Sequence, residues 1–328
     1  MPWRITPQAR ARGARPDPYR IWLSEVMLQQ TTVAAVAGYF HKFTTLWPDV
    51  HALAEADRDR VLAEWAGLGY YARARNLHAC AIRVSRDLGG AFPDTEEGLR
   101  ALPGIGAYTA AAIAAIAFDR PAVVVDGNVE RVMARLHAVE IPLPGSKAAL
   151  KTHAADLTPE ERPGDYAQAV MDLGATICTP RRPACALCPW QPACQAFKLG
   201  IAERLPAKKP KPAKPVRQGR VWVAKDAAGK VLVTRRPDKG LLGGMIALPS
   251  TDWDASRDAP EGSPPLPLDW REAGQVRHTF THFHLELAVD MAEVQDLSGQ
   301  ETMRLDEAEA AMPTVFAKAL RLAHRKTG

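Results

Sequence analysis

The sequence LPGIGAYTA, at residues 102–110, is followed sixteen residues later by DGN, at residues 126–128. The first stretch predicts a glycine-rich hairpin between two helices, and the second places a carboxylate at the start of another helix. Backbone N–H groups that point out of such a hairpin can hold a DNA phosphate. A carboxylate held nearby can attack or stabilise a sugar. Together the two stretches predict chemistry on DNA, and Tyr108 decides which chemistry.

The composition sets broad limits. The chain has 328 residues, a hydrophobic fraction of 47% and a formal charge of +5. This length favours two domains, whereas so mild a charge says little by itself about a nucleic-acid partner. Apolar runs of membrane-spanning length and a signal-peptide pattern are both missing from the sequence. We therefore expect a cytoplasmic protein with no membrane partner, associated with the nucleoid when bound to DNA. We also expect it to be a monomer.

The periodicity changes along the chain. Helical patterns extend from Pro18 to about Leu205. Residues 205–219, LPAKKPKPAKPVRQG, contain four prolines, four lysines and one arginine but no acid, which indicates an extended linker that is either solvated or in contact with phosphates. The period then becomes two, with a hairpin in RVWVAKDAAGKVLVTRR, a strand over 278–291 and a C-terminal helix. The predicted fold class is α + β, multidomain, with a helical domain at 1–204 and a mixed domain at 220–328.

Local signals give three further predictions for the helical domain. PYRIWLSEVMLQQTTVAAVAGYF, from Pro18, is interpreted as one helix of about six turns. Asp94 and Glu97 form a capping-box pattern at the start of the helix–hairpin–helix, which covers 94–118. Asn128 can cap the next helix and thereby leave Asp126 free.

Four of the five cysteines lie close together, with the spacing C-x6-C-x2-C-x5-C, at Cys178, Cys185, Cys188 and Cys194. In a reducing compartment this clustering predicts a metal site rather than disulfides. Structural zinc and a 4Fe-4S cluster both accept four thiolates, and the spacing alone does not decide between them. The fifth cysteine, Cys80, is interpreted as a small buried apolar residue.

The cysteine spacing, downstream of a helix–hairpin–helix and an aspartate, resembles the iron–sulfur loop of the endonuclease III superfamily of DNA glycosylases. The motifs SEVMLQQT, GLGYYARARNL, LPGIG, DGN and MDLGATICT look like those of the MutY-type adenine glycosylases. The resemblance is strong over 18–196 and looser beyond. It implies a 4Fe-4S cluster with a structural role in the loop 178–194. It also implies a monofunctional enzyme of base excision repair, whose partner is double-stranded DNA containing A:8-oxoguanine or A:G mispairs.

Two carboxylates are candidates for catalysis. Hydrolysis of an N-glycosidic bond needs protonation of the leaving base and stabilisation of an oxocarbenium-like sugar, which carboxylates in different environments can supply. Glu25 has apolar neighbours on its predicted helix, and burial would favour its protonated form, although a solvated glutamate is the commoner pattern. The resemblance implies that Glu25 protonates adenine at N7. It also implies that Asp126 stabilises the sugar cation or forms a transient covalent adduct, and that Asn128 helps to orient water.

Position 108 separates two enzyme hypotheses. Bifunctional relatives carry a lysine there, whose amine forms a Schiff base that leads to strand cleavage. The phenol of Tyr108 cannot form an imine, so the sequence predicts base removal alone, with Tyr108 bonded to Asp126 or to the substrate; a packing role is the alternative. Glu130 stands where relatives often carry another lysine. Two other functions stay open: a pyrimidine-lesion glycosylase with lyase activity, and a zinc-stabilised DNA-binding module without activity.

The resemblance also implies DNA contacts. The target base must leave the stack, and the matching wedge residues are Gln30 and Tyr70. The residues implied to contact the DNA backbone or the lesion are Leu102, Gly104 and Gly106 in the hairpin, and Phe280, Thr281 and His282 in the second domain. Four arginines are interpreted either as phosphate contacts or as solvated residues: Arg73, Arg75, Arg181 and Arg182.

The second domain resembles a MutT/Nudix-like α/β domain that recognises 8-oxoguanine, with GLLGGMIALPS as its clearest segment. Only Arg271 and Glu272 match part of the metal-binding Nudix helix, so we expect no pyrophosphatase activity. Leu242 replaces a usual tryptophan. Three histidines at 278, 282 and 284 alternate along one predicted strand, but without a further ligand motif a metal site there is disfavoured.

Overall fold

The computed structural model describes residues 1–210, 212–237, 240–253 and 262–327. The chain divides into two compact units, Met1–Pro210 and Lys211–Gly328. The boundary falls inside the lysine- and proline-rich stretch 205–219, whose last four residues already belong to a strand. Among the described residues, no helix combines the length and the apolar character needed to cross a bilayer.

The first unit is helical. Its α-helices are α1 (Pro7–Ala11), α2 (Pro18–Leu28), α3 (Val33–Leu46), α4 (Val50–Glu55), α5 (Arg58–Glu64), α6 (Ala72–Asp87), α7 (Glu96–Arg100), α8 (Ala107–Phe118), α9 (Gly127–Leu136), α10 (Lys147–Leu157), α11 (Pro163–Thr176) and α12 (Gln195–Lys198).

The six-turn helix predicted from Pro18 is wrong. The structure divides it into α2 and α3, separated by residues 29–32. Gln30 adopts a left-handed backbone conformation, with φ 59°, which ends the first helix. The Thr32 side chain then accepts a hydrogen bond from the Ala35 N–H and begins the second. A local cap therefore interrupts a hydrophobic pattern that continues through it.

Two predicted caps also differ from the structure. Thr95, and not Asp94, caps α7 by accepting from the Gly98 N–H, while Asp94 is paired with Arg120. At the start of α9 the cap is Asp126, and not Asn128. Both shifts are of one or two residues, which is the usual uncertainty of a cap read from sequence.

The hairpin is held by its apolar residues. Leu102 and Ile105 are buried, and α8 behind them is buried at every residue from Thr109 to Ile116, as its alanine-rich sequence predicts. Helix α11 approaches α8 closely because Gly164 has no side chain: a Cβ atom there would lie 2.4 Å from the Ala115 carbonyl oxygen. This packing brings the ends of α2, α8, α9 and α11 into one region.

The second unit contains sheet and helix. Its strands are β1 (Val216–Asp226), β2 (Lys230–Leu232), β3 (Thr234–Arg235), β4 (Ile246–Ala247), β5 (Arg271–Thr279), β6 (His284–Val294) and β7 (Thr302–Arg304), and its helices are α13 (Leu305–Ala311) and α14 (Thr314–Thr327).

A five-stranded sheet has the order β5-β6-β1-β2-β7. β1 and β6 are parallel, with Val216 opposite His284, and β5 and β6 are antiparallel. The single strand predicted over 278–291 is therefore wrong, because residues 280–283 form the turn between β5 and β6. Helix α14 covers the sheet with buried residues such as Phe316 and Leu320. The α + β organisation predicted from the sequence is confirmed.

Candidate active site

A cleft of about 800 Å³ opens in the first unit. Its lining includes all four predicted catalytic residues, Glu25, Tyr108, Asp126 and Asn128. The elements that carry them are α2, α8 and the start of α9, which are far apart in sequence. A cleft of this size can take a drug-sized molecule or a single nucleoside.

Glu25 lies in the middle of α2 and is only 6% exposed. Burial raises the pKa of its carboxyl from 4.5 to about 7; the Tyr108 hydrogen bond and the charge of Arg4 oppose this shift, whereas the Asp126 carboxylate adds to it. A substantial share of the Glu25 side chains is therefore protonated near neutral pH. Of the two environments that the sequence left open for Glu25, the structure shows the buried one and not the commoner solvated one.

Tyr108 bonds to Glu25 rather than to Asp126. Its hydroxyl donates to Glu25 Oε2 at 2.8 Å and also lies 3.5 Å from the Met171 sulfur. Burial, reinforced by the Glu25 and Asp126 carboxylates, raises the pKa of Tyr108 far above its ordinary value. The phenol is thus a neutral donor, and the predicted alternative of a bond to Asp126 is not the one found.

Asp126 is the N-cap of α9. Its Oδ1 accepts from the Asn128 N–H at 2.9 Å and the Val129 N–H at 2.7 Å, and its Oδ2 accepts from Asn128 Nδ2 at 2.9 Å. Three N–H donors and the positive end of the helix dipole stabilise a negative charge at this position. Capping and a place in the cleft, which the sequence suggested as alternatives, are combined in one side chain.

Asn128 connects the carboxylate to the cysteine loop. Its Oδ1 accepts from Arg131 Nη2 at 2.8 Å, and Arg131 Nε donates to the Cys178 carbonyl at 2.7 Å. Gly174 on α11 permits this contact, because a Cβ atom there would lie 2.6 Å from Asn128 Cβ. The glycine of the MDLG sequence therefore has a steric role beside the site.

Two ion pairs in the cleft were not predicted from the sequence. Arg4 makes a two-point contact with Asp172 on α11, with Nη1–Oδ2 at 2.5 Å and Nη2–Oδ1 at 3.0 Å, and the buried Trp3 anchors it. Lys147, at the start of α10, pairs with Glu130 at 3.2 Å. Arg4 and Lys147 both line the cleft. Neither Arg4 nor Lys147 belongs to a recognisable motif, so the sequence carried no signal for them.

The hairpin presents its glycines to the cleft. Gly104 has φ +75°, and a Cβ atom there would lie 2.6 Å from Asn76 Cβ, so this turn needs glycine. Gly106 and Ala107 are exposed at the start of α8, which has no side-chain cap. Leu102 is buried and supports the hairpin from below instead of facing outward. The open N-terminus of α8 has the geometry that binds anions.

The four predicted metal ligands line one cavity, together with Arg135, Phe197 and their neighbours. Arg135 is 2% exposed, and its guanidinium donates to Cys178 Sγ at 3.2 Å and to the Thr179 carbonyl at 2.8 Å. Burial, and then the charges of the other three thiols, raise the pKa of Cys185. Within the described ranges, no three histidine, cysteine, aspartate or glutamate side chains lie close enough together to bind one metal ion. Cys80 is buried apart from them, as predicted.

The two predicted wedge residues lie at the surface. Gln30 is exposed, Tyr70 is 51% exposed, and both have left-handed backbones, with φ 59° and 49°. Arg73 is buried and bonds to protein carbonyls, so its interpretation as a phosphate contact or a solvated residue is wrong. Arg181 and Arg182 are exposed, and Arg75 is half-buried.

The predicted lesion-recognition loop is the turn between β5 and β6. Thr281 and His282 are exposed, and Phe280 is half-buried against Phe283, with ring centroids 4.8 Å apart. The Phe280 N–H donates to the Phe283 carbonyl at 2.9 Å, which closes the turn.

Other predicted features of the second unit have packing contacts. Leu242 packs at the edge of the core. The His278 ring contacts Phe280, and His284 bonds to Thr279 at 2.9 Å.

Each of the two units matches a known protein family. The first matches the family described as "HhH-GPD superfamily base excision DNA repair protein" over residues 23–152, and the second matches the NUDIX domain over residues 220–322. The chain is 34% identical to the adenine DNA glycosylase of Mus musculus, with 98% of this chain and 74% of that protein covered. It is 35% identical to the Homo sapiens protein of the same name, with 88% and 63% covered.

Solved structures share the fold of the first unit. A thermostable thymine-DNA glycosylase is 29% identical, with a TM-score of 0.52 over 61% of this chain and 88% of that one. Endonuclease III in a non-covalent DNA complex is 21% identical, with a TM-score of 0.50 over 60% of this chain and 99% of that one.

Proposed function

The chain belongs to the adenine DNA glycosylases, a family of base excision repair enzymes, and on that premise we propose that it is monofunctional and releases adenine from A:8-oxoguanine and A:G mispairs. The observation that carries this proposal is the pairing of two carboxylates in one cleft. Glu25 is buried and has a raised pKa, whereas Asp126 is stabilised as an anion by N–H donors. An acid and an anion are the two groups that this hydrolysis needs.

Glu25 acts on the leaving base. Its carboxyl proton is transferred to N7 of the flipped adenine, and the bond between N9 and C1′ breaks with its electron pair moving to the base. Adenine leaves as a neutral molecule. The Tyr108 hydroxyl, which already donates to Glu25 Oε2, stabilises the carboxylate that remains.

Asp126 acts on the sugar. The positive charge that develops at C1′ is balanced by its carboxylate, either as an ion pair or through a covalent bond that water later displaces. Asn128 Nδ2 keeps the carboxylate oriented. Water adds to C1′ and gives its proton to the Glu25 carboxylate, which restores the acid for the next turnover.

The absence of a lyase step follows from position 108. A Schiff base requires a primary amine beside C1′, and the side chain that occupies this place is a phenol. Its bond to Glu25 gives it a different task, which is to hold the acid. One lysine, Lys147, does line the cleft, but it is paired with Glu130 at 3.2 Å, so the alternative of a bifunctional pyrimidine-lesion glycosylase is disfavoured.

The four cysteines fit a 4Fe-4S cluster. They line one cavity, and the buried cation Arg135 is in contact with Cys178 Sγ, as an anionic set of thiolates would require. When bound, such a cluster would cross-link residues 178–194 against α9, with no electron needed for hydrolysis.

We further propose that the exposed start of α8 binds a DNA phosphate and that the turn 280–282 contacts the base opposite the adenine. The first rests on an uncapped helix N-terminus beside the cleft. The second rests on an exposed turn with a half-buried aromatic residue. Thr281→Ala should reduce the preference for A:8-oxoguanine over A:G while leaving release from A:G unchanged; equal losses on both duplexes would argue against a lesion contact.

A single-turnover assay tests the function. Duplexes containing A:8-oxoguanine, A:G, A:T or thymine glycol are incubated with excess protein, and free base and strand breaks are measured. Release of adenine from the first two, with breaks only after alkali, is the expected result. Breaks without alkali that borohydride traps would instead identify a lyase, and no release from any duplex would identify a binding module. Iron, sulfide and visible absorbance of the purified protein test the cluster against zinc.

A further inference from the structure

Arg73 carries a network that the proposed mechanism does not use. It lies in the first turn of α6 and is 8% exposed. Its guanidinium lies between two segments, residues 26–31 and residues 68–70, which begin in the core and reach the surface at Gln30 and Tyr70. Each of these segments contains one of the proposed wedge residues.

The first set of contacts closes the end of α2. Nη1 donates to the carbonyls of Val26 at 3.2 Å, Met27 at 2.9 Å and Gln29 at 2.6 Å. Carbonyls in the last turn of a helix have no donor within the helix, so an external cation is their natural partner. The Gln29 carbonyl belongs to the peptide group that joins Gln29 to Gln30.

The second set of contacts holds the loop before α6. Nη2 donates to the carbonyls of Leu68 at 2.9 Å and Gly69 at 3.2 Å, and to Thr31 Oγ1 at 3.2 Å. The Gly69 carbonyl belongs to the peptide group that joins Gly69 to Tyr70. One guanidinium therefore bonds to the carbonyl immediately before each wedge residue.

Both wedge residues need this support. Gln30 and Tyr70 have φ 59° and 49°, a left-handed backbone conformation that residues other than glycine rarely adopt. The guanidinium carbon also lies 5.6 Å from the Tyr70 ring centroid and 5.2 Å from that of Trp65. Through these contacts, one side chain of α6 connects the two segments to each other.

We propose that Arg73 is a positioning residue that holds Gln30 and Tyr70 in fixed relation, so that both enter the duplex together as the base is extruded. This inference rests on the proposed function, because it requires base flipping. Extrusion of the base costs free energy because the base must unstack. Wedge side chains that are ordered only on binding lose conformational entropy, so they offset less of this cost. A planar fork with five donors can reach both segments at once, whereas the point charge of lysine cannot.

The test uses the full chain and a duplex with fluorescent 2-aminopurine opposite 8-oxoguanine, whose emission rises on unstacking. Arg73→Lys keeps the charge but not the fork, and we expect it to lower extrusion, and single-turnover release of adenine from A:8-oxoguanine, by about 10- to 100-fold. The matched control is Arg83→Lys on the same helix, an exposed residue paired with Asp87, which should behave as the wild type.

A double-mutant cycle separates positioning from general folding. In a Gln30→Ala/Tyr70→Ala background, Arg73→Lys should cause no further loss of extrusion, because there are no wedges left to position. An equal loss in both backgrounds, or unchanged extrusion by Arg73→Lys, would overturn the inference. A wild-type protein that extrudes no base would instead overturn the proposed function.

If Arg73→Lys does not fold, Thr31→Val is the second variant. It removes the hydroxyl that accepts from Arg73 Nη2 and donates to the Gln29 carbonyl at 3.3 Å. We expect a loss of extrusion of a few-fold that the wedge-free background again abolishes. Wild-type extrusion by Thr31→Val would then count against the inference.

Discussion

The middle of α2 and the first turn of α9 place carboxylates in the same cleft, but in opposite environments. Glu25 sits inside a helix among apolar residues and accepts a hydrogen bond from a neutral phenol. Asp126 sits at a helix N-terminus, where three N–H groups point at it. The comparison teaches that a carboxyl group becomes an acid or an anion through its place on a helix and the donors around it.

The two regions also differ in what supports them. Behind Glu25 lies the hydrophobic core of the first unit, with Trp22 and Leu23 fully buried. Behind Asp126 lies a polar chain through Asn128 and Arg131 to the Cys178 carbonyl. Apolar packing excludes water from the Glu25 carboxyl, and hydrogen bonds hold the Asp126 carboxylate in its orientation.

The largest effect is expected from Asp126→Asn. Asparagine caps helices as well as aspartate does, so the fold should be kept while the anion is lost. We expect single-turnover release to fall by more than about 10³-fold. Asp126→Ser, another good cap without charge, is the control and should behave in the same way. Release within tenfold of the wild type by either variant would show that the helix start supplies no essential charge.

Glu25→Gln should have the next largest effect, a loss of about 10²- to 10⁴-fold in release, because the proton donor is gone. It should also change stability. The folded-state pKa of Glu25 is raised from 4.5 to about 7, so the free energy of unfolding of the wild type falls as pH rises between these values. Denaturant unfolding of Glu25→Gln should lack this component; the same pH dependence in both proteins would place Glu25 in water.

Tyr108→Phe should shift a pH profile more than it lowers a rate. The Tyr108 hydrogen bond lowers the pKa of Glu25, so its removal should raise that pKa further. Release by the wild type should decline as pH rises through about 7, where the acid ionises, and this limb should move to higher pH in Tyr108→Phe. Single-turnover rates from pH 5 to 9 measure the shift; movement to lower pH would contradict the assigned hydrogen bond.

Arg4→Gln should give the smallest change. The charge of Arg4 also lowers the pKa of Glu25, but it is the weakest of the four causes. The same limb should therefore move upward by less than in Tyr108→Phe. A larger shift from Arg4→Gln than from Tyr108→Phe would mean that charge, rather than the direct hydrogen bond, tunes the acid.

Motifs with a local physical cause could be predicted. The hairpin and the four-cysteine cluster follow from short spacings. The two carboxylates were instead assigned through the family resemblance, and the structure places both of them in one cleft. Features for which neighbouring residues compete, such as the N-cap of a helix, were harder to predict. Thr95 caps in place of Asp94, Asp126 in place of Asn128, and the long helix from Pro18 breaks at Gln30.

Arg4 and Arg73 show why the rest could not be predicted. Both are arginines in unremarkable local sequence. Arg4 becomes part of the cleft only because Asp172, from a distant helix, lies within reach. Arg73 can be buried because carbonyls at the end of α2 and in the loop before α6 accept hydrogen bonds from its guanidinium.

The sequence by itself determined the fold class and the change from helical to strand periodicity, because periodicity encodes these directly, and its motifs carried the resemblance through which the catalytic residues were predicted. The tertiary structure alone decided which carboxylate is buried, that the Tyr108 hydrogen bond lowers the pKa of that carboxylate, and which arginine is buried. Those properties depend on burial and on partners more than eighty residues away, such as Tyr108 for Glu25, and no local pattern records them.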